Sequence, residues 1–124
     1  MNPNPLNYAS LEASKRLAEA GIVMETEAKY VVWSNDKIEL CYTSEYYQAE
    51  KIKGVRVIPA PSMAEVWRAL PDDNKQIVTL IEQFLSDTVD SWLHTDLFIE
   101  TVKVMRDVNR LIDLKIWTVQ RKEK

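Results

Sequence analysis

Hydrophobic and polar positions repeat with two different periods along the chain, and each period predicts a type of secondary structure. The first regular segment has apolar Leu11, Leu17 and Ala18 at helical spacing. Ser10 precedes this segment as a residue that favours the N-cap, and Gly21 follows it where a left-handed C-terminal cap is expected. We therefore predict a first helix over residues 10–20.

The pattern becomes β-like after Glu27. Residues 30–33 are β-branched or aromatic, and residues 38–42 alternate between apolar and other side chains, with the polar residues 34–37 between them. This arrangement is typical of a β-hairpin. A third short strand over residues 55–58 would end at Pro59. Together the three segments predict a small antiparallel sheet, one face of which the first helix covers.

A second short helix is predicted over residues 63–70. Ser62 and Glu65 have the spacing of a capping box, and Pro71 ends the apolar stripe that follows them. After Pro71 the chain contains no glycine or proline. Residues 74–93 carry apolar side chains at helical spacing, and a break near residues 91–96 separates this helix from another that begins at Leu97.

The apolar positions after Leu97 cover about half of the helix circumference, which is wider than the usual stripe of about 100°. Residues 113–119 also alternate in the manner of a strand. A helix is the favoured interpretation, and a fourth strand stays open as the alternative. The predicted fold is α+β: one domain over residues 1–124, with a mixed part (1–71) and a helical part (72–124) that forms a long C-terminal hairpin.

Composition narrows the range of chemistry. The chain has 124 residues, a net charge of −3, two glycines, one cysteine and one histidine. These counts exclude glycine-rich phosphate loops, an internal disulfide, the common zinc sites and Ser/Cys–His triads. The acidic balance makes nucleic acid an unfavoured partner. With no leader or membrane span recognisable, we expect a cytoplasmic location. No cofactor is indicated.

Two acidic groups resemble metal sites in their spacing. Asp87, Asp90 and His94 share one face of the predicted helix, but this face lies opposite the apolar stripe and is therefore expected to be solvated. Glu100 and Asp107 resemble the acidic helices of magnesium-dependent hydrolases, although nearby basic residues explain them as ion pairs. A metal-dependent hydrolase is therefore the third functional hypothesis.

An aromatic and basic region provides the second hypothesis, a nucleic-acid-binding module. Aromatic rings beside cations can stack on single-stranded bases, although aromatic residues of a small hairpin more often belong to the core. The region comprises Tyr30, Trp33, Tyr42, Tyr46, Tyr47, Lys51, Lys53 and Arg56. For Cys41, Trp67, Trp92 and Trp117, packing in the core is the favoured interpretation.

The broad apolar stripe of the last helix leads to the favoured hypothesis. A stripe of this width needs more than one neighbour to cover it, and a second copy of the chain or another protein could supply that cover. We therefore predict a non-enzymatic interaction or accessory protein that self-associates as a dimer through its C-terminal helices. The predicted contact residues are Phe98, Met105, Val108, Ile112, Ile116 and Val119.

Two segments of the first half resemble a group of short, uncharacterised proteins encoded by tailed phages and prophages. The segments are SLEASKRLAEAGI (residues 10–22) and IPAPSMAEVWRALP (residues 58–71). The resemblance is confined to residues 10–71, and its motifs are a capped helix and the start of a second one. It implies an origin in a phage or mobile element, and it implies no activity, cofactor or catalytic residue.

Overall fold

The computed structural model describes residues 3–44, 52–88 and 97–122, and these residues form a three-stranded antiparallel sheet and five α-helices. The strands are β1 (Ala28–Val32), β2 (Ile38–Tyr42) and β3 (Arg56–Ala60). The helices are α1 (Leu11–Glu19), α2 (Met63–Arg68), α3 (Asn74–Thr88), α4 (Leu97–Arg106) and α5 (Val108–Lys122), and a 3₁₀ turn (Pro5–Asn7) precedes α1. The predicted α+β fold is confirmed.

The sheet has the strand order β2-β1-β3, so that β1 is central and both neighbours are antiparallel to it. The prediction that the third strand ends at Pro59 was wrong, because β3 continues to Ala60 with Pro59 opposite Lys29. In the described part of the sheet β3 pairs only with β1. A proline lacks an N–H group, and an edge strand tolerates this because one of its sides donates no hydrogen bonds to the sheet.

The turn between β1 and β2 has the geometry of a three-residue hairpin loop. The Trp33 N–H donates to the Lys37 carbonyl at 2.8 Å, and the Asp36 N–H donates to the Trp33 carbonyl at 2.9 Å. Asp36 has a φ of 68°, in the left-handed region. A type I turn followed by one left-handed residue matches the right-handed twist of the two strands. The polar turn predicted for residues 34–37 is thereby confirmed.

Both ends of α1 are capped as the sequence predicts. The Ser10 hydroxyl accepts a hydrogen bond from the Ala13 N–H at 3.1 Å. At the other end, Gly21 adopts a φ of 77°, and the Ile22 N–H donates to the Leu17 carbonyl at 3.3 Å. This is a Schellman motif, in which glycine adopts the left-handed conformation without steric cost.

Glu65 completes the capping box of α2 and also holds the loop that leads into β1. One of its carboxylate oxygens accepts from the Ser62 N–H at 2.8 Å, and the other accepts from the Glu27 N–H at 2.9 Å. The Glu27 carboxylate in turn accepts a hydrogen bond from the Tyr8 hydroxyl. This carboxylate bond, followed by burial, raises the pKa of Tyr8 well above its usual value. The acidic side chains here therefore hold the N-terminal segment in place.

The C-terminal helices contain a break that the sequence analysis did not predict. The helix that begins at Leu97 ends at Arg106, and α5 begins directly after Asp107. The Asp107 carboxylate accepts from the Asn109 N–H at 2.9 Å, so that Asp107 caps α5. Residues 113–119 lie within α5, and the favoured helical interpretation of this segment is therefore confirmed.

The main core is made by the helices, and α5 contacts α1, α2, α3 and α4. Smaller buried clusters lie on the two faces of the sheet, one around Ala28 and Ala60 and the other around Val31 and Cys41. None of the helices in the described ranges is long and apolar enough to span a membrane. The position of α5 among the other helices determines which parts of the C-terminal half remain at the surface.

Candidate functional site

The broad apolar stripe of the C-terminal helices is covered largely within the chain itself. Val108 and Ile112 have exposed fractions of 8% and 0%, and both belong to the main core. Met105 and Ile116 are half-buried and pack against the same core, and Val119 is half-buried. Two short helices from the first half of the chain, α1 and α2, help to cover α5. Val108 and Ile112 are therefore part of the core that the chain forms by itself, and their contact with a partner stays a prediction.

Contact with a partner through the half-buried residues Met105, Ile116 and Val119 stays a prediction. Phe98 lies in α4, and its side chain is outside the described part of the structure. Several helices of the same chain cover the stripe, which accounts for its width. The width by itself is therefore not evidence for a partner.

Asp87 is the one member of the first candidate metal cluster that lies in the described residues. Its carboxylate accepts a hydrogen bond from the Trp117 indole N–H at 3.2 Å and forms an ion pair with Arg121. Asp90 and His94 lie outside the described residues. Within the described ranges, no group of three or more His, Cys, Asp or Glu side chains could hold a metal ion. Asp87 thus connects α3 to α5.

Glu100 and Asp107, the second candidate pair, have structural partners. Glu100 forms ion pairs with Lys103 and Arg110, both at 3.0 Å. The Lys103 ammonium, and after it the Arg110 guanidinium, lowers the pKa of the Glu100 carboxyl. Asp107 caps α5, as described above. The two carboxylates therefore stabilise α4 and the start of α5.

The aromatic residues of the predicted nucleic-acid site lie on opposite faces of the sheet. Tyr30 and Tyr42 pack on the face that contains Ala28, and the Tyr30 hydroxyl donates to the Ala9 carbonyl at 2.7 Å. Trp33 packs with Val31 on the other face. The two groups lie on opposite faces because successive side chains of a strand point to opposite sides of the sheet. Tyr46, Tyr47 and Lys51 lie outside the described residues. The described aromatic residues of this group thus form no single stacking surface, and Lys53 and Arg56 are exposed.

A groove lies between α3 and α5 in the described part of the chain. Its volume is about 600 Å³. The apolar side chains that line it are half-buried, and most of its polar and cationic side chains are exposed. The groove is lined by Pro71, Lys75, Gln76, Thr79, Leu80, Gln83, Trp117, Thr118 and Arg121. We refer to this surface as the α3/α5 groove.

Trp117 is fixed in the wall of the groove by contacts on three sides. The ring of Phe84 meets its indole edge to face, with ring centroids 5.9 Å apart and planes at 68°. The guanidinium carbon of Arg121 lies 4.8 Å from the centroid of the Trp117 ring. Asp87 accepts hydrogen bonds from both the indole and the guanidinium. Because the side chain is held in one orientation, a ligand that contacts it would lose little conformational entropy from the protein.

The end of the groove near Pro71 is also held in place. The Lys115 ammonium donates to the Ala69 carbonyl at 2.8 Å, which joins α5 to the residue that caps the C-terminus of α2. A cation at a helix C-terminus interacts favourably with the helix dipole. Pro71 follows two residues later and lines the groove. The groove is thus built on elements whose relative positions are fixed by direct bonds.

Sequence reasoning treated Trp117 as a core residue and did not identify the groove. Trp117 does pack against the main core, yet it is half-buried and also lines the groove. One local signal was present, because Arg121 follows Trp117 by four residues and side chains at this spacing meet on a helix. The partners Phe84 and Asp87 lie about 30 positions earlier, and only the tertiary fold brings them near.

Comparisons with known proteins add no relative from which a function could be transferred. No protein-family model, curated protein or solved structure matches the chain. The resemblance of residues 10–71 to phage-encoded proteins therefore stays a prediction. The function must be argued from the geometry of the chain itself.

Proposed function

We propose that this protein is a non-catalytic interaction domain that binds a segment of a protein partner in the α3/α5 groove. The observation that supports the proposal is the immobilised Trp117 in the wall of an apolar groove, beside an arginine. Tryptophan and arginine are enriched among residues that contribute most to binding. The volume of about 600 Å³ is within the range of ligand pockets. An accessory role in a phage or mobile element is part of the proposal.

The composition of the groove supports binding rather than catalysis. The described residues that line it contribute hydroxyl, amide, cationic and apolar groups, and no carboxylate, imidazole or thiol. General acid–base catalysis at neutral pH commonly uses histidine or a carboxylic acid. The lining set includes no histidine or carboxylate that could activate the hydroxyl of either lining threonine. A metal-dependent hydrolase and a nucleic-acid module have no comparable support in the described residues.

The size of the groove favours a short segment as the occupant. Its α3 wall extends from Lys75 to Gln83, which is a length of about 12 Å at the helical rise of about 1.5 Å per residue. A typical stable interface buries about 800 Å² on each partner and involves about 20 residues or more. The groove alone is smaller than that, but it can hold two or three turns of a helix or a short extended segment.

The test is a selection from random peptides about 12 residues long, which would span about 18 Å as a helix. The full chain is compared with Thr79→Arg, which places a long side chain in the groove from an exposed position on α3. Ser86→Arg is the matched control, because Ser86 is exposed on the same helix and does not line the groove. We expect peptides that bind the wild type and Ser86→Arg but not Thr79→Arg.

Nuclear magnetic resonance gives a direct measure of occupancy. The chain has four tryptophans and therefore four indole N–H signals, and Trp117→Phe identifies the one that belongs to the groove. Selected peptides should shift this signal, because its N–H donates to Asp87 at the edge of the groove. Peptides that bind Thr79→Arg as well as the wild type, or leave the Trp117 signal unchanged, would contradict the proposal. Light scattering shows separately whether a second copy of the chain is a partner.

A further inference from the structure

We infer that the segment bound in the α3/α5 groove is acidic at both ends and apolar in the middle. This inference rests on the proposed function and names the chemistry of the partner. Two cations, Lys75 and Arg121, are among the residues that line the groove, whereas no acidic residue is. Leu80 and Trp117 supply apolar surface from α3 and α5. An interface is favoured when the charges of its two sides are complementary.

Lys75 supplies the positive charge at one end. It is exposed in the first turn of α3, close to Pro71, and it forms no ion pair with the described residues. Asp73 accepts a hydrogen bond from the Lys75 backbone N–H at 2.9 Å and so caps the N-terminus of α3, and the ammonium group takes no part in this bond. A carboxylate is the complementary group at this end.

Arg121 supplies the positive charge at the other end. Asp87 already occupies part of its guanidinium, which shows that this site accepts a carboxylate. A guanidinium has five N–H donors. The bond to Asp87 uses one of its terminal nitrogens. The other donors of the guanidinium are the groups that we expect to bind a carboxylate of the partner, and the ring of Trp117 lies beside them, 4.8 Å from the guanidinium carbon.

The distance between the two cations sets the spacing of the acidic residues. Arg121 pairs with Asp87, which lies twelve residues after Lys75 on the same helix. The rise along α3 between these positions is about 18 Å, which gives the approximate separation of the two cations. A partner helix of about three turns matches this length. Its acidic residues would flank apolar side chains that lie against Leu80 and Trp117.

The experiment uses the peptides selected on the wild type and measures their affinities for two charge-reversal variants. Lys75→Glu reverses the charge at the groove, and Lys53→Glu makes the same change on an exposed loop that does not line it. We expect Lys75→Glu to weaken binding about threefold to tenfold at low salt, and Lys53→Glu to leave it unchanged. Replacement of the terminal acidic residues of the peptides by glutamine should have the same effect as Lys75→Glu. Circular dichroism verifies that both variants are folded.

The outcomes separate this inference from the proposed function. Peptides that require an open groove but carry no acidic residues, or bind Lys75→Glu as tightly as the wild type, would overturn the acidic partner and leave the groove as the binding site. Peptides that bind Thr79→Arg equally well would overturn both. Acidic peptides that lose affinity in Lys75→Glu and at higher salt would support both.

Discussion

Replacement of Ile112 by alanine distinguishes a core position from a position at a subunit interface. Ile112 is completely buried in the structure and packs in the cluster that α5 forms with the other helices. If the side chain is buried within one chain, its truncation lowers the free energy of unfolding of the monomer. If it were buried between two copies, the loss would depend on protein concentration, because association contributes to stability by mass action.

The size of the expected effect follows from the burial. Truncation of a fully buried isoleucine to alanine costs about 2–5 kcal/mol, which includes the lost transfer free energy and the cavity that remains. The unfolding entropy of globular proteins is about 2.1 cal/mol/K per residue. For 124 residues this gives about 0.26 kcal/mol/K. The melting temperature should therefore fall by about 8–19 °C.

The assay is thermal and urea unfolding of Ile112→Ala at two protein concentrations about tenfold apart. Ile99→Ala is the matched control, because the side chain of Ile99 on α4 is 54% exposed and its truncation should cost less than about 0.5 kcal/mol. A loss below about 1 kcal/mol for Ile112→Ala would refute the placement of this residue in the core. A loss of stability that differs between the two protein concentrations would show that the side chain is buried between copies.

Three further changes test local features. Asp36→Gly should raise stability by about 0.5–1 kcal/mol in urea unfolding, because Asp36 has a positive φ that glycine adopts without strain; no gain would contradict the turn geometry. Tyr8→Phe removes the hydrogen bond to Glu27 and should cost about 1 kcal/mol near neutral pH. The pKa of Tyr8 is raised in the folded state, so the hydrogen bond stabilises the fold fully only below the pKa of tyrosine in the unfolded chain, near 10. The difference in stability between Tyr8→Phe and wild type should therefore shrink as the pH rises above 10. A constant difference up to pH 11 would count against this assignment. Burial raises the pKa of Asp113 despite the ion pair with Arg16 at 3.2 Å, so the charged form is disfavoured in the folded state. Asp113→Asn should therefore be more stable than wild type at pH 7, and this advantage should shrink as the pH falls through the raised folded pKa and be gone at the unfolded value near 4. A less stable variant at pH 7 would show that the ion pair dominates.

Local sequence signals were sufficient to predict most of the helices and strands. The caps of α1 and the capping box of α2 act within a few residues, and the structure contains both where the sequence predicts them. The hairpin turn is similar, because its geometry depends on residues 34–36 and their immediate neighbours. The break at Asp107 was missed for the opposite reason: the apolar period continues through it, and aspartate also occurs within helices.

The candidate site was not predictable in the same way. The aromatic and basic residues near the hairpin are close in sequence, yet Tyr30 and Trp33 lie on different faces of the sheet. The α3/α5 groove combines residues from two separated parts of the chain, residues 71–83 and 117–121. A local pattern indicates which side of a helix is apolar, but not which neighbour covers that side or where the cover stops.

The strands, the first three helices, the α+β class and the caps of α1 and α2 followed from the amino-acid sequence, because backbone hydrogen bonding and hydrophobic periodicity act over a few residues. The tertiary structure decided how the apolar surface of α5 is divided. This surface packs on α1, α2, α3 and α4, and the strip that contains Trp117 remains at the edge of a groove. This division depends on how the helices fit together in three dimensions, since burial is a property of all the packed neighbours at once.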